Sequence, residues 1–157
     1  MAKATRATQF LDRAGVTYTL HTYDYDPAAD SIGQAAAAAL GEPAGRVFKT
    51  LMVLADGKPA CVIAPSDREV AMKKAAAALG VKQAVMMKPA DAERITGFKI
   101  GGISPFGQTR KVPAVLDASA QEWESIYING GQRGLQVRLA PMDAISALGA
   151  RQADIAA

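Results

Sequence analysis

Lys49 interrupts the run Val47-Phe48-Lys49-Thr50-Leu51-Met52-Val53-Leu54, which otherwise consists almost entirely of strand-forming apolar residues. An ammonium in such a strand must reach solvent, a counter-ion or a ligand, because an unpaired buried charge is costly. The side chain therefore either snorkels or pairs near the strand end, or is a fixed cation at a pocket mouth that holds a phosphate or polarises an oxygen. The segment Gly101-Gly102-Ile103-Ser104-Pro105 is the second group with chemical potential. Glycines there remove the Cβ barrier to close approach, so backbone N–H groups could meet a carbonyl or phosphate, and Pro105 stiffens the loop beyond. A tight bend with a bulge would use the same residues. No Gly-Lys-Ser/Thr follows and the spacing is not a dinucleotide fingerprint, which disfavours ATP and NAD.

Conventional catalytic equipment is scarce. The chain has 1 cysteine and 1 histidine, so neither an intrachain disulfide nor a four-thiolate or histidine-rich metal site can be assembled. Cys61 lies among strand formers and reads as a small core residue, and His21 reads as a surface or hydrogen-bonded residue. No Gly-x-Ser-x-Gly elbow occurs, and spacing alone does not pair Asp117, Glu122, Glu124 and Asp143. No metal or cofactor is expected. Chemistry supplied by the substrate itself would suit so sparse a set.

The elements that must position these groups alternate between helical and strand patterns. Thr5–Ala14 has apolar residues at helical spacing before Gly15, and Val16–Tyr23 alternates with period two. Asp30 or Ser31 can cap a helix ending at Gly41. Asp56-Gly57 marks a turn joining the Lys49 strand to Ala60–Ala64 as a hairpin or close neighbour. Ser66-Asp67-Arg68-Glu69 has capping-box spacing before a helix to Leu79. Val81–Met87 is strand-like, and Pro89 and Pro141 open short helices closed by Gly97 and Gly149. Further strands are expected at Pro113–Asp117, Ser125–Ile128 and Leu135–Leu139, with Asn129-Gly130-Gly131 starting a tight connection between the last two.

With 157 residues, 50% of them hydrophobic and 21% charged, the chain suits one α/β domain around a mixed sheet, spanning residues 1–157. No apolar stretch approaches the roughly 20 residues that cross a bilayer, so no membrane contact is expected. Met1-Ala2-Lys3-Ala4-Thr5-Arg6 leads into an amphipathic segment with no secretory pattern, and a cytoplasmic location is the expectation. The net charge of +3 suits an anionic partner. Lys73, Lys74, Arg110 and Lys111 could contact phosphates or form a solvated face.

Four motifs occur in order over nearly the full length: His21-Thr22-Tyr23 with Asp26-Pro27; Val47-Phe48-Lys49-Thr50-Leu51; Thr96-Gly97 with Gly101-Gly102-Ile103-Ser104-Pro105-Phe106-Gly107-Gln108; and Gly130-Gly131-Gln132-Arg133-Gly134-Leu135. They resemble the YbaK/EbsC family, free-standing relatives of the editing domain inserted in bacterial prolyl-tRNA synthetases, and are most similar to its YbaK branch of Cys-tRNA(Pro) deacylases. The resemblance implies a single domain with a mixed, partly barrel-like β-sheet surrounded by helices. It implies a trans-editing enzyme that removes cysteine from tRNA(Pro), the cysteinyl thiol attacking its own ester carbonyl to leave a thiolactone. The implied partners are the aminoacylated tRNA 3′ end and, as an accessory, prolyl-tRNA synthetase, with no cofactor.

By matched position the resemblance makes Lys49 the essential lysine, orienting the terminal adenosine or its phosphate, and has the Gly101-Gly102 backbone hold the substrate carbonyl. It places Tyr23, Ile32, Thr50, Ser104, Pro105, Asn129, Gly130 and Gly131 at the substrate pocket. Ile32, Asn129 and Gln136 depart from the branch, which leaves cysteine against alanine or another small amino acid open. A non-catalytic tRNA- or nucleotide-binding module is the alternative of a different class. Nothing in the sequence bears on oligomeric state.

Overall fold

Capping chemistry sets most helix boundaries in the computed structural model, which describes residues 4–157; the expectation for the terminus at Met1, Ala2 and Lys3 lies outside the described residues. Helix α1 (Arg6–Arg13) begins at Thr5, whose hydroxyl accepts from the Thr8 N–H at 3.1 Å. Helix α2 (Ile32–Leu40) begins at Ser31, whose hydroxyl accepts from the Gln34 N–H at 3.3 Å. Helices α4 (Pro89–Thr96) and α5 (Pro141–Leu148) start on proline and stop before Gly97 and Gly149, as expected.

Helix α3 (Met72–Leu79) corrects the expected capping box. Its N-cap is Ala71, which makes no side-chain bond, and Ser66–Glu69 precede the helix. The Ser66 hydroxyl instead donates to the Val47 carbonyl. A Cβ on Gly33 of α2 would overlap the Ser66 side chain, so α2 seals that hydroxyl from water and it must take an internal acceptor.

Among the described residues eight strands form one mixed sheet in the order β1-β7-β6-β2-β3-β5-β8, with β4 also paired to β2. They are β1 (Thr19–Thr22), β2 (Val47–Ala55), β3 (Lys58–Pro65), β4 (Ala84–Met86), β5 (Ala114–Asp117), β6 (Ile126–Asn129), β7 (Leu135–Leu139) and β8 (Arg151–Ala153). The order leaves β1 and β8 as end strands. The β2–β3 pair is the expected hairpin, in register from Phe48↔Pro65 to Ala55↔Lys58. Asp56 and Gly57 close it with φ of +47° and +81°, the positive pair that a two-residue turn between twisted strands requires.

Alternation along β2, β3 and β5 feeds two cores. Phe48, Met52, Ile63, Leu116, Ile126 and Ile128 pack with Leu11 and Phe106 on one face, and Val53, Val62, Val115, Ala75 and Ile155 on the other. Each large side chain buried this way contributes roughly 1.5–3 kcal/mol. Among the described residues no helix is long and apolar enough to cross a membrane.

One feature of β2 positions the site. Its β3 edge is paired over nearly the whole strand, whereas on the opposite edge Val47 and Phe48 pair with β6 and Val53–Ala55 pair with β4. Between those partners, Lys49, Thr50 and Leu51 face a gap in the sheet.

Candidate functional site

A cavity of about 290 Å³ occupies that gap. Residues on both faces of β2 reach it because it opens at the strand's edge: Lys49 and Leu51 alternate with Thr50, and all three line it. Tyr23, Ile32, Gly101, Ile103, Asn129 and Gln136 contribute the rest of the wall that matters chemically. Lys49 is the one charged side chain in the lining, is half-buried, and among the described residues has no carboxylate within ion-pair distance. The cavity therefore carries a net positive charge with no internal counter-ion.

Three further polar groups belong to residues of this lining and, among the described residues, have no partner of good geometry. The Tyr23 hydroxyl, the Thr50 hydroxyl and the Gln136 side-chain carbonyl are all sequestered from water and unbonded. Tyr23 and Gln136 face one another, yet no hydrogen bond of good geometry joins them. Burial, above all, raises the Tyr23 phenol above its ordinary 10.0, so it is a neutral donor and acceptor at neutral pH. Buried polar groups are usually bonded.

The glycine loop supplies backbone. Gly101 has φ of +87°, and a Cβ on it would collide with the Tyr25 hydroxyl. Its carbonyl accepts from Asn129 Nδ2 at 3.2 Å, and Asn129 Oδ1 accepts from the Gly131 N–H at 2.7 Å, tying this loop to the β6–β7 connection. The Gly102 N–H is spent on the Lys99 carbonyl at 2.8 Å, whereas among the described residues the N–H groups of Gly101 and Ile103 have no protein acceptor.

The sequence profile of the aminoacyl-tRNA editing domain matches residues 26–147, which takes in both the Lys49 strand and the glycine loop. The chain belongs to this family. It is 32% identical over 96% of its length, and over 92% of the relative's, to a protein of Enterococcus faecalis named as an inferred Cys-tRNA(Pro)/Cys-tRNA(Cys) deacylase, EbsC. It is 33% identical over 52% of its length to a proline–tRNA ligase of Acidithiobacillus ferrooxidans, the match taking in 14% of the ligase. Its fold is similar to a solved structure described as a candidate trans-editing enzyme for prolyl-tRNA synthetase, with a TM-score of 0.82 and 23% identity over 97% of this chain and 95% of that one.

For this editing domain the structure brings Tyr23, Ile32, Lys49, Thr50, Gly101 and Asn129 together around one cavity. It places the other expected site residues elsewhere. Ser104 is fully buried, its hydroxyl accepting from the Phe106 N–H at 3.1 Å and its carbonyl from Gln108. Pro105 lines a separate cleft beside Phe10, and Gly102 and Gly131 line another with Arg133. Gly130 packs against Leu135, where a Cβ would meet the leucine side chain.

Gln136, which the resemblance singles out with Ile32 and Asn129 as a departure that could border the aminoacyl pocket, does line the cavity and is 4% exposed. Ile103 gave no signal beyond its place after two glycines.

The remaining expected chemistry is accounted for structurally. Burial pushes the Cys61 thiol up to about 12, and Cys61 does not line the Lys49 cavity. His21 Nε2 bonds Thr19 Oγ1 at 2.8 Å, and its ring meets Tyr127 edge-on at 5.2 Å; burial first, then the Arg138 guanidinium, lowers its pKa. Lys74 bonds Asp154 and the Ala156 carbonyl, each at 3.0 Å. Arg110 and Lys111 lie by Ala55 and Lys58, at the far end of β2 from Lys49.

Proposed function

We propose that this editing domain removes cysteine from mischarged tRNA(Pro) in trans, by attack of the cysteinyl thiol on its own ester carbonyl. The new bond is S–C, the bond broken joins that carbon to the terminal ribose oxygen, and the thiol proton passes to the departing oxygen. The products are a thiolactone and tRNA with a free 3′-terminal hydroxyl, so the cleavage is an intramolecular acyl substitution that expels the tRNA rather than a direct hydrolysis.

The observation that carries this reading is a cavity that, among the described residues, is lined by one unpaired cation and by no carboxylate, imidazole or thiol. A nucleophile brought by the substrate fits such a wall. Lys49 then fixes the terminal phosphate or stabilises negative charge that develops on sulfur and oxygen. Among the described residues the N–H groups at Gly101 and Ile103 are unpaired, and they suit the carbonyl oxygen. Holding thiol and carbonyl in contact supplies much of the acceleration. Prolyl-tRNA synthetase, whose ligase relatives carry a matching segment, is the accessory partner this reading favours.

The cavity also has room for a hydrolytic water, which favours, as a second reading, release of a thiol-free residue such as alanine. Release from Cys-tRNA(Pro) and from the same tRNA carrying serine, which replaces the thiol by a hydroxyl, separates the two. The thiol route requires loss of cysteine with serine retained. Equal loss of both contradicts it.

A further inference from the structure

The loop from Gly97 to Ile103 is a partition. Ile100, Gly101 and Ile103 face the Lys49 cavity, whereas Gly97, Lys99 and Gly102 face a second cleft of about 280 Å³ on its other side. The β6–β7 connection divides likewise, with Asn129 on the first cavity and Gln132 and Arg133 on the second. The two spaces are nearly equal in size and share a wall one loop thick.

The second cleft is cationic. Lys99 and Arg133 are exposed on it, and the Arg6 guanidinium, donating to Thr109, lies over Gly97 at its margin. Among the described residues none of these three cations has an ion-pair partner. Arg133 is also pre-set: its Nε donates to the Ile100 carbonyl at 2.8 Å, and its guanidinium carbon lies over the Tyr25 ring, 5.3 Å from the centroid. Tyr25 in turn touches the Gly101 position, so this pair stands at the rim between the two spaces.

We infer that the second cleft binds the unpaired nucleotides that precede the 3′-terminal nucleotide of the substrate RNA. This rests on the reading of the first cavity as the aminoacyl-ester site. A chain whose last ribose enters that cavity must leave past its rim carrying a phosphate for every nucleotide. Lys99 and Arg6 face those phosphates, and the planar Arg133 guanidinium, held by the Ile100 carbonyl over Tyr25, offers a surface to a base. The cleft thereby extends recognition from the ester to the single-stranded end without contacting paired RNA.

The test uses the full chain and two substrates, cysteine esterified to adenosine and cysteine esterified to a minihelix RNA ending in the tRNA 3′ sequence. Lys99→Glu and Arg133→Lys are compared with Lys82→Glu, an equal charge change near the far end of β2. The cleft requires that kcat/KM for the minihelix fall about tenfold in Lys99→Glu, with the adenosine ester and Lys82→Glu unaffected. Equal loss on both substrates, or an equal effect of Lys82→Glu, overturns it. Fluorescence anisotropy of the uncharged minihelix decides the same point without cleavage: the salt slope of binding should shrink by about one unit in Lys99→Glu. Should the wild type cleave neither ester, the deacylase reading falls, while an unchanged minihelix affinity in Lys99→Glu would independently remove the cleft.

Discussion

The Asn129 side chain donates to the Gly101 carbonyl at 3.2 Å while its own carbonyl accepts from the Gly131 N–H. One amide thus holds the end of β6, the glycine loop and the β6–β7 connection in a fixed arrangement. Asparagine can do this because it carries donor and acceptor on one planar group; aspartate offers only acceptors and would set negative charge against the Gly101 carbonyl.

Asn129→Asp should therefore lower kcat for deacylation by about tenfold or more through misplacement of the Gly101 backbone, with Asn129→Ser retaining an intermediate rate. Loss of the bonds should cost about 1–2 kcal/mol of stability in either variant. Single-turnover rates beside thermal melts separate the two effects. Wild-type kcat in Asn129→Asp would show that the loop does not depend on this amide.

Gly101→Ala should be damaging for two physical reasons. A left-handed φ of +87° is strained for alanine, and the new methyl collides with the Tyr25 hydroxyl. The expected cost is about 1–3 kcal/mol with loss of activity. Adding Tyr25→Ala removes the ring, whose Cε1 and Cζ as well as the hydroxyl lie within 3.0 Å of the new methyl, but not the backbone strain, so the Gly101→Ala change should cost less stability in a Tyr25→Ala background in urea unfolding. An equal cost in both backgrounds would mean that strain alone accounts for the loss.

Asp117 should contribute to acid stability. Burial works to raise its pKa, but bonds from Ser119 and from the Ile155 and Ala156 N–H groups outweigh it and hold the carboxyl below its ordinary 3.8. A depressed folded-state pKa contributes stability in full above the ordinary value, and that contribution disappears as pH falls below 3.8 through the folded value. Asp117→Asn should lower the melting temperature at pH 7 and flatten the acid limb of the stability profile. A parallel limb in the variant would show that other carboxylates set it.

Legibility in the sequence followed the range of the interactions. Lys49 was visible because its charge contradicts its neighbours, and Asp56-Gly57 because a two-residue turn is wholly local. The Ser66 box misled because the same spacing is satisfied by a hydroxyl drawn to Val47 when α2 closes over it. Strand β8 went unseen: Arg151–Ala153 is three residues long and pairs in parallel with β5, far away in the chain. The cavity itself depends on β2 exchanging β6 for β4 along one edge, a tertiary event that leaves no periodicity in β2. For the same reason Ser104 and Pro105, adjacent in the motif to Gly101, turn away from the cavity that Gly101 lines.

The most direct measurement is the rate of deacylation of Cys-tRNA(Pro) by the wild type, Lys49→Ala and Lys49→Arg, with Ala-tRNA(Pro) in parallel and salt held constant. Lys49→Ala should fold normally, since the side chain has no ion-pair partner among the described residues, and should lose about 10²-fold in rate, with Lys49→Arg in between. Full cysteine release by a folded Lys49→Ala would contradict the central claim that this unpaired cation is what makes the gap in the sheet an active site.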